Sequence, residues 1–169
     1  MSGERILPSS QIDRAELLIA EASKWIGVRE KGANRGADVE AFQKAVDGVA
    51  QGEPWCAAFL FFCLDRIGGT DLFKSEHCLT VWNQSQRDLR LVSPERGAIV
   101  IWRRQGTTSG HAGIVKEVVS CIRMRTIEGN TGPGSELIRE GDGVYEKTRP
   151  TIRGTGKLEL VGFLWPWLS

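Results

Sequence analysis

The stretch GEPWCAAFLFFC, residues 52–63, places a proline, a tryptophan and a cysteine immediately before an apolar run. Proline is well accepted in the first turn of a helix, so a helix is predicted to begin near Pro54 and to end at Gly68–Gly69. Cys56 then lies in the first turn, where unpaired N–H groups and the helix dipole favour a thiolate. Free cysteine is also among the most buried residue types, so the stretch alone leaves a core residue and a nucleophile as equal alternatives.

Three further helices are predicted in the first half of the chain. Apolar residues recur at spacings of three and four from Ile12 to Ile26, as on one face of a helix. A second helix is predicted with Asp38 as its cap and Gly48 at its end, and another over residues 76–86. After residue 93 the pattern changes to β-branched or aromatic runs divided by turn residues. The predicted strands are GAIVIW (97–102), HAGIVKEVV (111–119), IRMRTIEG (122–129), GVYEKTR (143–149) and LELVGFLW (158–165).

Helices followed by strands predict an α+β fold, with N-terminal helices packed on a C-terminal antiparallel sheet. The 169 residues contain no internal repeat and no Pro/Ser linker, so we expect a single domain over residues 1–169. Hydrophobic residues make up 41% and charged residues 25%, which is typical of a globular protein. The net charge of +1, without a run of like charges, argues against nucleic acid as the partner.

The N-terminal residues 1–27 lack the continuous apolar core of a signal peptide. No apolar run approaches the roughly 20 residues of a membrane span, so membrane insertion is not expected. We expect synthesis in the cytoplasm without a cleaved signal, which favours free thiols over disulfides for the four cysteines. Cys63 lies deeper on the same predicted helix as Cys56 and is predicted to belong to the core.

The chain has only two histidines, and His111 opens a predicted strand in SGHAGIV, between small residues that leave room around its ring. His77 has polar neighbours and is predicted to lie on the surface. The next strand ends in TIEGNT (126–131), where alternation would bring Thr126, Glu128 and Asn130 to one face. Glu128 is a candidate to orient the imidazole, and Asn130 to do the same or to brace it. Cysteine, histidine and an acid in these places form the pattern of a nucleophilic triad.

Together, GEPWCAAFLFFCL, RGAIVIWRR with SGHAGIV, and TIEGNT resemble the three blocks of the CHAP domain, the cysteine, histidine-dependent amidohydrolase/peptidase family. CHAP domains are papain-like and related to NlpC-type wall peptidases. Over about residues 15–167 the chain is similar to single-domain phage endolysins and bacterial wall hydrolases. The resemblance implies a papain-like α+β fold with Cys56 as nucleophile, His111 as base, Glu128 as orienting acid and Asn130 as an accessory residue.

Members of this family often carry glutamine just before the nucleophile, a place that Trp55 takes here. Gln51 is then a candidate oxyanion donor, although an exposed loop glutamine is the more usual reading. Further candidates for substrate contact are Asn34, Arg35, Trp55 and Trp102. Arg35 could hold a carboxylate in bidentate fashion or be a solvated loop residue, and Trp102 could equally be core. No Asp-rich calcium loop is present, so no metal or other cofactor is expected.

The resemblance implies peptidoglycan as the substrate, cleaved at the N-acetylmuramoyl–L-alanine amide or within the stem or cross-bridge peptide. The alternatives are a small-molecule amidase of the glutathionylspermidine type, which a deep closed pocket would favour, and a non-catalytic wall-binding module. A zinc protein using Cys56, Cys63, His77 and Cys78 is a third reading, but their spacing fits no standard tetrahedral site. We expect a monomer that acts on the wall after holin-dependent release or after injection, the second with an immunity partner.

Overall fold

The structure, a computed structural model, describes residues 9–133, 141–152 and 157–168. The first half contains the four predicted helices and one turn of 3-10 helix at Arg87–Leu89. The helices are α1 (Ser9–Ser23), α2 (Ala37–Asp47), α3 (Cys56–Arg66) and α4 (Cys78–Gln84). Within the described ranges, none of the helices combines the length and the apolar character needed to cross a membrane.

The second half forms one six-stranded antiparallel sheet with the strand order β1-β6-β2-β3-β4-β5. The strands are β1 (Arg90–Leu91), β2 (Ile99–Arg104), β3 (Gly110–Ser120), β4 (Arg123–Thr131), β5 (Gly143–Pro150) and β6 (Leu158–Leu164). All five predicted strands are present, so the α+β class is confirmed, with helices before the sheet as expected of a papain-like fold. The sequence missed β1, whose two residues are too short for an alternating pattern.

Three predicted helix starts were displaced, and the fourth helix begins at Cys78 rather than at residue 76. The third helix begins at Cys56 rather than near Pro54, because Trp55 keeps a non-helical backbone (φ −120°, ψ 17°). Asp38 is not the cap of α2, since Gly36 precedes that helix with φ at 116°, a value that favours glycine. Asp38 lies instead in the first turn, where its charge complements the helix dipole.

The third helix lies at the centre of the core and contacts α1, α2, β3 and β4. Eight of its residues are buried, which explains why its sequence is apolar on nearly every side. Gly129 on β4 faces it closely: a Cβ at this position would stand 2.8 Å from the Cβ of Phe59. This packing fixes the first turn of α3 against the middle of the sheet, where β3 and β4 run side by side.

Candidate active site

Cys56 is the first residue of α3 and its side chain is almost covered, with 6% of the residue exposed. The first N–H groups of a helix have no carbonyl partner within it, so they present partial positive charge to this thiol. The backbone N–H of Ala57 is one of the groups that lower the pKa of Cys56. The predicted position at a helix start is therefore observed, with the thiol one residue after Trp55.

His111 lies on β3 beside Trp102 of β2, and the two rings stack with centroids 5.6 Å apart and planes 20° apart. The imidazole is buried, with 1% of the residue exposed. Its Nε2 lies 2.8 Å from Oε2 of Glu128, whereas Nδ1 has no hydrogen-bond partner. The ring and the Cys56 thiol are nevertheless close enough for each to shift the pKa of the other. This geometry leaves Nδ1 as the nitrogen available to the thiol.

Glu128 on β4 is completely buried and joins His111 to Arg149 of β5. Arg149 donates from Nε to Oε1 at 2.8 Å and from Nη2 to Oε2 at 2.6 Å, and the Thr126 hydroxyl donates to Oε1 at 2.6 Å. Burial works to raise the pKa of this carboxyl, but the hydrogen bonds and charges of Arg149 and His111 outweigh it and lower the pKa well below its usual range. Glu128 is thus held as a carboxylate.

The charges of the site favour a thiolate beside an imidazolium. The hydrogen bond with Cys78 is the largest influence on the Cys56 thiol, and with His111 it lowers the pKa of Cys56 although burial acts to raise it. Burial opposes charge on His111, but Cys56 and Glu128 outweigh it and raise the pKa of the ring to about 9. Between these two pKa values the thiol is ionised and the ring is protonated, which is the state of a nucleophile paired with its acid.

Glycines on both sides of His111 allow this arrangement. A Cβ at Gly110 would stand 3.1 Å from the Cβ of Cys78 and 2.8 Å from the carbonyl oxygen of Trp102. A Cβ at Gly113 would stand 2.8 Å from Cγ of Glu128. The sequence indicated that small residues here leave room for a close approach. The approaching groups are the start of α4 on one side and the acid of β4 on the other.

Asn130 does not contact His111 in the way considered from the sequence. Its backbone is left-handed (φ 52°), and the β4–β5 pairing is irregular between Glu128 and Thr131, so the simple alternation of the strand ends here. With its amide nitrogen towards the Gly141 carbonyl (3.0 Å), its amide oxygen accepts from the Trp55 backbone N–H at 3.2 Å. Asn130 therefore braces the backbone immediately before Cys56.

The structure brings Asn34, Arg35 and Gln51 together in two loops before α3. Asn34 donates from Nδ2 to the Gly52 carbonyl at 3.1 Å, and Arg35 donates from Nη2 to the Gln51 carbonyl at 3.3 Å. The Arg35 guanidinium also lies against Gly52, where a Cβ would be 3.1 Å from it. Arg35 and Gln51 are exposed, so these loops form a surface a few residues upstream of the thiol.

The two tryptophans among the predicted substrate contacts are buried. Trp55 is 0% exposed and packs against Phe42, with its indole N–H donating to Glu30 at 3.2 Å, so no face of its ring is free for a substrate. Trp102 stacks on His111, and the guanidinium of Arg149 is 5.5 Å from the centroid of its ring. Trp102 thus covers the buried ion pairs. Cys63 is in the core and His77 is exposed, as expected.

Sequence reasoning missed two members of the site, Cys78 and Arg149. Cys78 is buried at the start of α4, with its Sγ 3.4 Å from Sγ of Cys56. Arg149 lies in a predicted strand. The signal that could have identified it is its position two residues after Lys147, on a strand that pairs with the strand carrying Glu128. Within the described ranges, no three His, Cys, Asp or Glu side chains are grouped so as to hold a metal ion, those of Cys56, Cys63, His77 and Cys78 included.

Residues 48–130 match the CHAP domain. The resemblance predicted from the three sequence blocks is confirmed. The CHAP segment holds Cys56, His111, Glu128 and Asn130, together with Cys78, whereas Arg149 lies beyond it on β5.

Other comparisons add little to the CHAP match. No curated protein matches the chain significantly. Among solved structures, the chain is similar to a mutated form of the Resuscitation Promoting Factor Interacting protein RipA, with a TM-score of 0.48 and 14% sequence identity. That similarity covers 97% of this chain and 68% of the other.

Proposed function

We propose that this chain is a peptidoglycan hydrolase that cleaves an amide bond with Cys56 as nucleophile and His111 as base. The CHAP match supports the reaction class, since the family is one of cysteine, histidine-dependent amidohydrolases and peptidases. The observation that carries the proposal is the thiol in the first turn of α3 beside an imidazole that a buried carboxylate holds at 2.8 Å. Acyl transfer by a cysteine requires a nucleophile, a base within reach of it, and a third group that orients the base by a hydrogen bond.

In the first step, the Cys56 thiolate attacks the amide carbonyl carbon and the carbonyl oxygen becomes an oxyanion. Asn130 occupies the Trp55 N–H, so we assign the oxyanion to the Cys56 N–H at the start of α3 and to a second donor such as Gln51. One well-placed donor of this kind typically contributes about 10²–10³ in kcat.

In the second step, His111 gives its Nδ1 proton to the leaving nitrogen, the C–N bond breaks and a thioester remains on Cys56. Water then attacks the thioester as His111 takes one of its protons, which releases the acid and restores the thiolate. Glu128 accepts the Nε2–H throughout and stays ionised, so it fixes the ring with Nδ1 towards the sulfur. Arg149 keeps that carboxylate charged.

The proposed substrate bond is the N-acetylmuramoyl–L-alanine amide or a bond in the stem or cross-bridge peptide. Arg35 is exposed on the loop surface before α3 and carries a planar donor pair suited to a stem-peptide carboxylate. Asn34 holds the same loop in place through Gly52. These contacts support a peptide subsite in the loops that precede α3.

One observation favours a second candidate, a hydrolase of small amides. The Cys56 residue is 6% exposed and His111 is 1% exposed, so little of the reacting pair reaches the surface. A narrow site of this kind suits a slender amide better than a thick polymer, whereas a peptide stem can still enter as an extended chain. Product analysis separates the two candidates.

The experiment is digestion of purified peptidoglycan with mass spectrometry of the released fragments. A free lactyl group on muramic acid with intact stems indicates an amidase, and new termini within the peptide indicate an endopeptidase. Cys56→Ala is expected to reduce release by a factor on the order of 10⁴ or more. Cys121→Ala is the matched control, since this exposed cysteine lies at the β3–β4 turn and release should be unchanged.

Two results would count against the proposal. No fragments from several wall chemotypes, with turnover of small amides, would favour the second candidate. Binding to peptidoglycan without turnover, equal in the intact chain and in Cys56→Ala, would mean a wall-binding module.

A further inference from the structure

We propose that Cys78 is a positioning residue: its thiol donates a hydrogen bond to the Cys56 thiolate and holds that sulfur beside His111. The inference rests on the proposed function only in treating Cys56 as the nucleophile. It starts from a distance, 3.4 Å between the two Sγ atoms, and from the burial of both cysteines. Two sulfur atoms at this distance without a disulfide bond either share a hydrogen bond or repel each other. A buried pair has no water to replace that hydrogen bond.

The site is built to bring Cys78 to this place. Cys78 begins α4, as Cys56 begins α3, so two helix starts meet at the sulfur pair. The approach of α4 depends on Gly110, next to His111, since a Cβ there would stand 3.1 Å from the Cβ of Cys78 and 3.2 Å from Cγ of Leu79. The same local sequence that places the base therefore admits the second thiol.

The direction of the hydrogen bond follows from the charges around the two sulfurs. Cys56 has its pKa lowered, first by Cys78 and then by His111, so it is the sulfur that ionises. The neighbouring Cys56 and burial raise the pKa of Cys78 well above its usual range, so Cys78 keeps its proton. A protonated thiol facing a thiolate can only be the donor.

Cys78 is the neutral member among the groups that act electrostatically on the sulfur pair. Cys78 on α4 and His111 on β3 act on the Cys56 sulfur, and Arg104 on β2 acts on the Cys78 sulfur. Glu128 on β4 acts on His111, and Arg149 on β5 acts on Glu128. His111 leaves this arrangement when it gives its proton to the leaving amine, but Cys78 keeps its own. The Cys78 thiol therefore holds the Cys56 thiolate by a hydrogen bond before the attack. The same hydrogen bond forms again when hydrolysis of the thioester restores the thiolate.

The test measures alkylation of Cys56 by iodoacetamide as a function of pH, with the modified cysteine identified by peptide mapping. Cys78→Ala removes the donor, and Cys78→Ser replaces it with a hydroxyl that donates in the same place. We expect Cys78→Ala to shift the rise of the alkylation rate, the acid limb of the profile, to higher pH by about one unit. At pH values below this rise, alkylation should then be about tenfold slower. Cys78→Ser should restore the limb towards that of the unmodified chain.

Cys63→Ala is the matched control, because Cys63 is buried on the same helix as Cys56 but lies seven residues further along it. Its profile should coincide with that of the unmodified chain. With a turnover assay, Cys78→Ala should lower kcat several-fold with little change in KM, since the donor acts on the nucleophile and not on the substrate. Thermal unfolding of each variant reports whether it is folded.

Three results would overturn the inference: an unchanged acid limb in folded Cys78→Ala, a Cys78→Ser profile that matches Cys78→Ala, or recovery of the active protein with a Cys56–Cys78 disulfide. Alkylation needs no substrate, so its outcome is separate from that of the proposed function. A shifted limb without peptidoglycan release would support the role of Cys78 and reject the substrate.

Discussion

Arg149 supplies the positive charge that keeps the buried acid of the site ionised. It binds Glu128 in bidentate fashion, and both side chains are almost entirely buried. Burying a lone carboxylate costs several kcal/mol, and the neutral form of His111 gives it no compensating charge. Arg149 therefore makes the charge of Glu128 independent of the protonation state of the base.

Replacing Arg149 by methionine should destabilise the fold by about 3–5 kcal/mol, because the buried Glu128 carboxylate loses the bidentate member of its two cationic partners. Urea unfolding measures the change in the free energy of unfolding. Arg125→Met is the matched control, since Arg125 pairs with Glu117 on the exposed side of the neighbouring strand and should change little. Equal losses in the two variants would contradict the account.

At the residue scale, the sequence predicted those members of the site that stand at the start of an element. Cys56 at a helix start and His111 at a strand start are visible as exceptions to the local apolar pattern. Cys78 and Arg149 were missed because their partners lie on other elements, and only the packing of α4 on Gly110 and the register of β4 with β5 bring them together. Packing and register are not local properties of a sequence.

At the element scale, the contact between α3 and β4 sets the distance from the thiol to the sheet. Gly129 makes that contact possible, since the Phe59 side chain occupies the place of a Cβ. Gly129 lies next to Glu128 on the strand that carries the acid. A displaced α3 would therefore change the position of Cys56 relative to both His111 and its acid.

Gly129→Ala should destabilise the fold by about 1–3 kcal/mol, because the added methyl overpacks the contact with Phe59. Activity should fall by more than the loss of folded protein explains, since α3 must move. Chemical denaturation and a turnover assay on the same samples separate these effects. Val119→Ala on the exposed end of β3 is the control and should alter neither quantity appreciably. Full activity in folded Gly129→Ala would show that α3 does not shift.

The elements themselves were predicted well, and the errors lie at their boundaries. Long apolar or alternating runs such as β2 and β3 determine their own structure, whereas the first residue of α2 depends on the backbone of Gly36. The left-handed Asn130 likewise interrupted the alternation expected of Thr126, Glu128 and Asn130, although β4 continues to Thr131.

At the scale of the whole molecule, the site spans the sheet from β2 to its edge at β5, with α3 and α4 above it. Four adjacent strands supply Trp102, His111, Glu128 and Arg149 in that order. The charges of the site are therefore part of the framework that holds the sheet together. Lowering the pH should therefore reduce both stability and activity through protonation of the same groups.

Lowering the pH should weaken the fold through Glu128. Its pKa in the fold lies below the ordinary value of 4.5, so the unfolded chain takes up the proton first. The stability that Glu128 contributes is complete above that ordinary value and is lost as the pH falls below it. Glu128→Gln should be less stable at neutral pH and lose less on acidification, measured as urea unfolding across the acid range.

Glu16→Gln is the control for this acid titration, because Glu16 pairs with Arg96 in an exposed position where solvent screens the pair. Its stability should follow that of the unmodified chain. An acid response that is the same with and without the Glu128 carboxylate would mean that other groups control acid unfolding.

The missing side chain at Gly113 has an evolutionary consequence. The space that glycine leaves empty is filled by the Cγ methylene of Glu128, so these two positions share one volume. A descendant that gains a methyl at position 113 can keep its buried acid only by shortening it to aspartate, and the reverse change leaves a gap. The two positions should therefore diverge as a pair, although 15 residues of sequence separate them.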